Sequence, residues 1–202
     1  MKHIYTYLAL GDSYTIGEGV LMYQSFPYQV VGLLRKKGFS FSAPEIIAKT
    51  GWTTDELNEA IKDYQFLQQY DFVTLLIGVN NQYRGREIAE YSLEFENLLK
   101  QAIAFAHNKP GRVIVLSIPD YSVTPSGRNN EPEKTGKEID LFNAANKAVC
   151  IQYKVQYIDI TKHSKKAYKD PSLIGSDLLH PSAKEYKNWS VKLVDLITKD
   201  IK

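Results

Sequence analysis

A single cysteine, Cys150, is all that the 202 residues provide. One thiol excludes an internal disulfide, and with no CxxC or CxxH companion it excludes a structural zinc site. It lies in "NAANKAVCIQY", where helical spacing makes it a small core residue and not a nucleophile. Long apolar runs are missing too. No stretch reaches the roughly 20 residues of a membrane span, and no signal-peptide core follows Met1. The expectation is a cytoplasmic protein with no integral membrane segment, or a secreted one whose leader has been removed. Nor is there an excess of one charge. Lys plus Arg number 25 against 23 for Asp plus Glu, spread along the chain, so the concentrated basic face that nucleic acid requires is not expected.

What remains is the composition of a globular chain, 44% hydrophobic and 24% charged, with no repeat or low-complexity tract. Its length suits one domain over residues 1–202. Five short β-prone runs stand out: Thr6 to Leu10, Glu45 to Ala48, Phe72 to Ile77, Arg112 to Ile118 and Val155 to Ile160. The third and fourth are apolar almost throughout, as strands covered on both faces should be. Between and after them, helical spacing predicts helices over Ser25 to Lys37, Thr54 to Gln69, Arg86 to His107, Lys137 to Tyr153 and Pro181 to Ile201. Strands alternating with helices predict an α/β fold with a parallel sheet between two helical layers. In such a sheet, chemistry gathers beyond the carboxyl ends of the strands.

The residues at those ends are therefore the ones to read for function. After the first run comes Gly11-Asp12-Ser13, which is either a capped turn or a nucleophile at a strand end. A serine hydroxyl needs a base within hydrogen-bonding reach, and the chain offers four histidines. His3 and His107 read as surface or capping residues. His163 has Asp159 four residues before it, whereas His180 has Asp177 three residues before it on a loop ahead of the last helix. A carboxylate so placed on a turn can fix the imidazole tautomer and stabilise the imidazolium, which favours Asp177 and His180 over Asp159 and His163. An oxyanion would also need donors, and the places to look are after the second and third runs, in "KTGWTTDEL" and "LLIGVNNQYRG". Read alone, Gly51 there is either a point of close amide approach or a turn before a helix capped by Thr53 or Thr54, and Asn80 and Asn81 are either donors or ordinary loop residues.

Taken in order, these blocks resemble the GDSL esterases and lipases, or SGNH hydrolases, over nearly the whole chain. Gly11-Asp12-Ser13 looks like the nucleophile block, Gly51 like the glycine of the second block, Gly78-Val79-Asn80-Asn81 like the GxND block and Asp177-Leu178-Leu179-His180 like the DxxH block. The resemblance implies a flavodoxin-like three-layer α/β/α sandwich with a parallel five-stranded sheet. It implies Ser13 as nucleophile, His180 as base and then acid, and Asp177 as its partner, with Ser13, Gly51 and Asn80 forming the oxyanion hole. No metal and no cofactor are implied. The expected partner is a small-molecule ester substrate, and the expected state a monomer or small homo-oligomer. Two positions depart from the pattern: Tyr14 stands in place of Leu, and Asn81 in place of Asp.

Tyr14, Trp52, Tyr83 and Tyr121, together with Tyr23, are candidates for the substrate pocket. The long Pro119 to Gly136 segment is a candidate lid or pocket wall. Two other functions fit the same elements. One is an acyltransferase using the same serine, and the other a nucleotide- or flavin-binding module on a flavodoxin-like scaffold, against which the absence of GxGxxG and of a P-loop counts.

Overall fold

The five β-prone runs form five strands of one sheet, β1 (Tyr7–Gly11), β2 (Glu45–Ala48), β3 (Phe72–Leu76), β4 (Val113–Leu116) and β5 (Gln156–Ile158). They are seen in a computed structural model that describes residues 3–129 and 131–201. Every neighbouring pair is parallel and the order is β2-β1-β3-β4-β5, the flavodoxin-like order. Burial explains the run composition. The three central strands are buried at every position, while the edge strands β2 and β5 are only partly covered.

Among the described residues, eight α-helical segments accompany the sheet: α1 (Ser13–Ile16), α2 (Phe26–Lys36), α3 (Thr54–Asp63), α4 (Val79–Tyr83), α5 (Ile88–Phe105), α6 (Pro132–Gln152), α7 (Thr161–Ser164) and α8 (Ala183–Ile201). Helices α2 and α8 pack together on one side of the sheet, and α3, α5 and α6 pack in sequence on the other. Phe26, Tyr186 and Trp189 seal the first layer as a buried aromatic cluster, the last two edge-to-face at 5.1 Å. Cys150 is buried on α6, and burial pushes its thiol up to about 12.

Two boundaries differ from the sequence reading by more than two residues, and two short helices were not anticipated. Helix α3 stops at Asp63 instead of Gln69, because Phe66 turns in against Phe105 at 4.5 Å and the Leu67 amide donates to the Tyr70 hydroxyl at 3.1 Å. Helix α6 starts at Pro132 instead of Lys137, with the proline in the first turn where no amide hydrogen is required. Helices α1 and α4 span only four and five residues, too few for hydrophobic spacing to reveal. Both begin where a central strand ends, at the point where the strand order reverses, between β1 and β3.

Candidate active site

The first functional segment is set by how tightly β1 is packed. A Cβ on Gly11 would collide with the Leu76 carbonyl on β3 and with Thr15 Oγ1, so only glycine ends the strand there. Asp12 then caps α1, its Oδ1 accepting the Tyr14 amide at 3.0 Å. Its Oδ2 is buried with no hydrogen-bond partner among the described residues, and burial, opposed by the Tyr14 amide, pushes the carboxyl up to about 7. Ser13 is the first residue of α1, where no preceding turn supplies an acceptor for its amide.

The second segment is the Gly175 to His180 turn. Gly175 donates its amide to the His180 carbonyl at 2.7 Å, and Leu178 takes φ +63° to close the turn. Asp177 works with both carboxylate oxygens. Oδ1 accepts the amides of Leu179 and His180 at 3.0 and 2.9 Å, while Oδ2 lies 2.6 Å from His180 Nδ1. Burial resists the charged form, but the Leu179 amide, the His180 ring and the His180 amide outweigh it and hold Asp177 below the usual carboxylate range. The other ring nitrogen, Nε2, lies 2.9 Å from Ser13 Oγ, so residues 167 positions apart in the chain form one hydrogen-bonded chain. The Tyr14 ring packs edge-on to the imidazole at 5.3 Å.

The competing histidine is engaged elsewhere. His163 Nδ1 lies 2.7 Å from Glu185 Oε2, and Asp159 pairs with Lys162 on the surface. His3 meets Asp71 at 3.0 Å, and His107 sits in a left-handed turn past the end of α5.

The β2–α3 loop and helix α4 supply the remaining candidates, and they are bonded to one another. Asn80 donates one side-chain amide hydrogen to the Trp52 carbonyl at 2.9 Å, leaving the second free for a substrate oxygen. Buried Asn81 accepts the Thr54 amide at 3.1 Å and donates to Thr54 Oγ1 at 2.6 Å, while the Thr54 hydroxyl donates to Glu94. Arg84, which the sequence reading passed over, donates from Nη2 to the Gly51 carbonyl at 2.6 Å. Its spacing of four from Asn80, on one side of α4, was the available signal.

Ser13, Asn80 and His180 share a cavity of about 230 Å³ with Tyr14, Tyr83 and Tyr121. Ser126 and Gly127 extend its wall, so the start of the Pro119 to Gly136 segment is a side of this cavity. The Tyr121 hydroxyl donates to Gln82 Oε1 at 3.0 Å, tying that side to α4. Trp52 corrects the aromatic reading: it does not line the cavity, because its ring packs on the core and its carbonyl is what meets Asn80. Tyr23 is exposed and also lies outside it. Gly51 is not part of the cavity wall either; its neighbour Trp52 joins the loop to Asn80, and its own carbonyl is held by Arg84. A larger, open groove of about 780 Å³, bordered by His163 and several lysines, contains none of these residues.

A three-layer sandwich in flavodoxin-like strand order, with an Asp–His–Ser chain beyond the carboxyl ends of its strands, is an architecture on which hydrolases are built. The family model described as GDSL-like lipase/acylhydrolase matches residues 9–187, and the chain belongs to that family, which makes it a hydrolase of ester bonds. The fold is similar to that of a lipase/acylhydrolase from Enterococcus faecalis, with a TM-score of 0.78 and 19% identity over 98% of this chain and 97% of that one. An acetylxylan esterase from Geobacillus stearothermophilus superposes with a TM-score of 0.75 and 17% identity, covering 97% and 95% of the two chains. The esterase EstA from Pseudoalteromonas sp. gives 0.69 and 16%, covering 98% of each. The search of curated proteins found no match. No helix among the described residues is long and apolar enough to cross a membrane.

Proposed function

We propose that the chain is a serine esterase that cleaves carboxylic esters through an acyl-enzyme on Ser13, with residues 1–202 acting as one catalytic domain. The observation that carries this reading is the chain of contacts from Asp177 through His180 to Ser13, at 2.6 and 2.9 Å. Asp177 holds the Nδ1 proton, so Nε2 is the nitrogen that accepts the Ser13 proton as Oγ attacks the ester carbonyl. The carbonyl oxygen becomes an oxyanion, met by the Ser13 amide and the free Asn80 amide hydrogen, with the Gly51 amide as a third donor supplied from the adjoining β2–α3 loop. Collapse breaks the ester C–O bond, and His180 passes its proton to the departing alcohol. Water then repeats the sequence on the acyl-enzyme, losing a proton to His180, and release of the acid returns that proton to Ser13.

The cavity favours small acyl groups, because its modest volume is bounded by the rings of Tyr14, Tyr83 and Tyr121. Hydrolysis of a p-nitrophenyl ester series from acetate to palmitate tests both points. Wild type is expected to favour the short esters and Ser13→Ala to be folded and inactive. A folded Ser13→Ala variant with wild-type turnover overturns the proposal. Product analysis with added alcohols separates hydrolysis from acyl transfer to an alcohol acceptor.

A further inference from the structure

Helix α4 and the residue that ends it, Arg84, touch the β2–α3 loop and the start of α3 at successive points. Asn80 Nδ2 holds the Trp52 carbonyl, Asn81 holds the amide and hydroxyl of Thr54, and Arg84 Nη2 holds the Gly51 carbonyl. Arg84 is itself anchored. Its Nη1 and Nη2 donate to Glu56 Oε1 and Oε2 at 3.3 and 3.1 Å, and Glu56 Oε2 also accepts the Thr53 amide at 2.9 Å as the capping box of α3. The guanidinium therefore bridges the loop carbonyl and the start of the helix that follows it.

Gly51 is the position that needs such a bridge. Its φ of +83° lies in the left-handed region, and a glycine adopts positive and negative φ with nearly equal ease. A Cβ there would meet nothing closer than Arg84 Nη2 at 3.8 Å, so packing does not select the conformation. A turn closed by the Trp52 amide on the Lys49 carbonyl at 3.3 Å carries that φ, and the Arg84 hydrogen bond pins the Gly51 carbonyl within it. The oxyanion role of Gly51 depends on where its amide points, and a donor is effective only when aimed in advance.

We infer that Arg84 is a positioning residue of the oxyanion hole: it pins the Gly51 carbonyl, which belongs to the Gly51–Trp52 peptide, and so holds in place the loop whose preceding peptide carries the Gly51 N–H. The inference rests on the proposed esterase reading, in which Gly51 N–H faces the developing charge. Arg84 is not among the residues that line the cavity of Ser13 and His180, and in this reading it acts in the transition state more than in the ground state.

The test is steady-state kinetics on p-nitrophenyl acetate with Arg84→Ala, Arg84→Lys and the neighbouring control Arg86→Ala, which loses contacts to Asp55 and Glu90 but none to Gly51. Ser13→Ala is measured alongside. Arg84→Ala is expected to lower kcat about tenfold, below the full loss of an oxyanion donor, with little change in KM. Its affinity for a short alkyl boronic acid, which forms a tetrahedral adduct on the serine, is expected to fall in parallel. Arg84→Lys, whose donors sit on a single nitrogen and cannot span the Gly51 carbonyl and both Glu56 oxygens as the guanidinium fork does, is expected to fall between. Arg84 and Glu56 are both well exposed, and the melting temperature is expected to stay near wild type. If Ser13→Ala is dead and Arg84→Ala keeps wild-type kcat and boronate affinity, the positioning role is wrong and the esterase reading stands. A loss confined to KM, or an equal loss in Arg86→Ala, also overturns it. Activity persisting in Ser13→Ala overturns the esterase reading itself.

Discussion

Glu185, 2% exposed, collects three donors, and His163 is one of them at 2.7 Å. The other two are Trp189 Nε1 at 2.8 Å and Asn188 Nδ2 at 3.0 Å, both on α8. His163 is thereby bound into the packing of the last helix, away from Ser13. His163→Ala should lower stability by about 1–3 kcal/mol, the cost of removing one partner from a buried acceptor, and leave turnover near wild type. His180→Ala should lower turnover by at least roughly 1,000-fold with a smaller effect on folding. Urea unfolding and p-nitrophenyl acetate hydrolysis on both variants check the pair, and a catalytic collapse in His163→Ala would reverse the choice of base.

Asn81 belongs to a network in which each proton has one destination. The Thr54 amide can only donate, which assigns Oδ1 to it and Nδ2 to the Thr54 hydroxyl, whose own proton goes to Glu94. An aspartate at 81 has no proton for that hydroxyl and would compete with Glu94 for the one it carries. Asn81→Asp should therefore cost about 1–3 kcal/mol. Glu94→Gln in the same chain should recover much of it, since its amide can donate to Thr54 and release the hydroxyl proton to the new carboxylate. The double-mutant cycle measures this coupling directly, and additive effects would show that the two sites are independent.

The sequence made the site legible where chemistry is local. Asp177 and His180 lie three apart on one turn, Gly11 ends β1, and Ser13, Gly51 and Asn80 come shortly after β1, β2 and β3. Helices α2, α5 and α8 were equally plain from their spacing. What stayed hidden depends on contacts between segments far apart in the chain. Arg84 looks like an ordinary surface residue until the Gly51 carbonyl is placed against it, and Trp52 looks like a pocket wall until its ring is seen turned to the core. Glu94 lies midway along α5, and nothing in its own neighbourhood announces Thr54.

Replacing Asp177 by Asn keeps the side chain's shape and its acceptor for the turn amides but removes the charge beside His180 Nδ1. Turnover should fall roughly 1,000- to 10,000-fold, as expected when the tautomer is no longer fixed. Stability gives a second signature. Because the folded carboxyl lies below its unfolded value, its contribution is present above the unfolded pKa of about 3.9 and is lost as pH falls through the folded one. Asp177→Asn should therefore flatten the acid side of the stability profile. An unchanged acid slope would mean that the three donors to Asp177 do not hold in solution.

Asp12 has the opposite sign. Burial with one unpartnered oxygen pushes its carboxyl up to about 7, so across the interval above the unfolded value near 4 the unfolded chain has released a proton that the folded chain keeps. The folded state then binds more protons, and stability must fall as pH rises through this interval and level off above about 7. An asparagine in its place would be neutral throughout, with the side-chain oxygen still capping the Tyr14 amide, so Asp12→Asn should remove that part of the slope. Wild type and Asp12→Asn, compared by urea unfolding at pH 5 and pH 8, should differ in their pH response by about 1 kcal/mol or more. The wild type should be the one that weakens toward pH 8. Parallel responses would place Asp12 in the ordinary carboxylate range, as if a solvent path reached Oδ2 beside the Ser13 backbone.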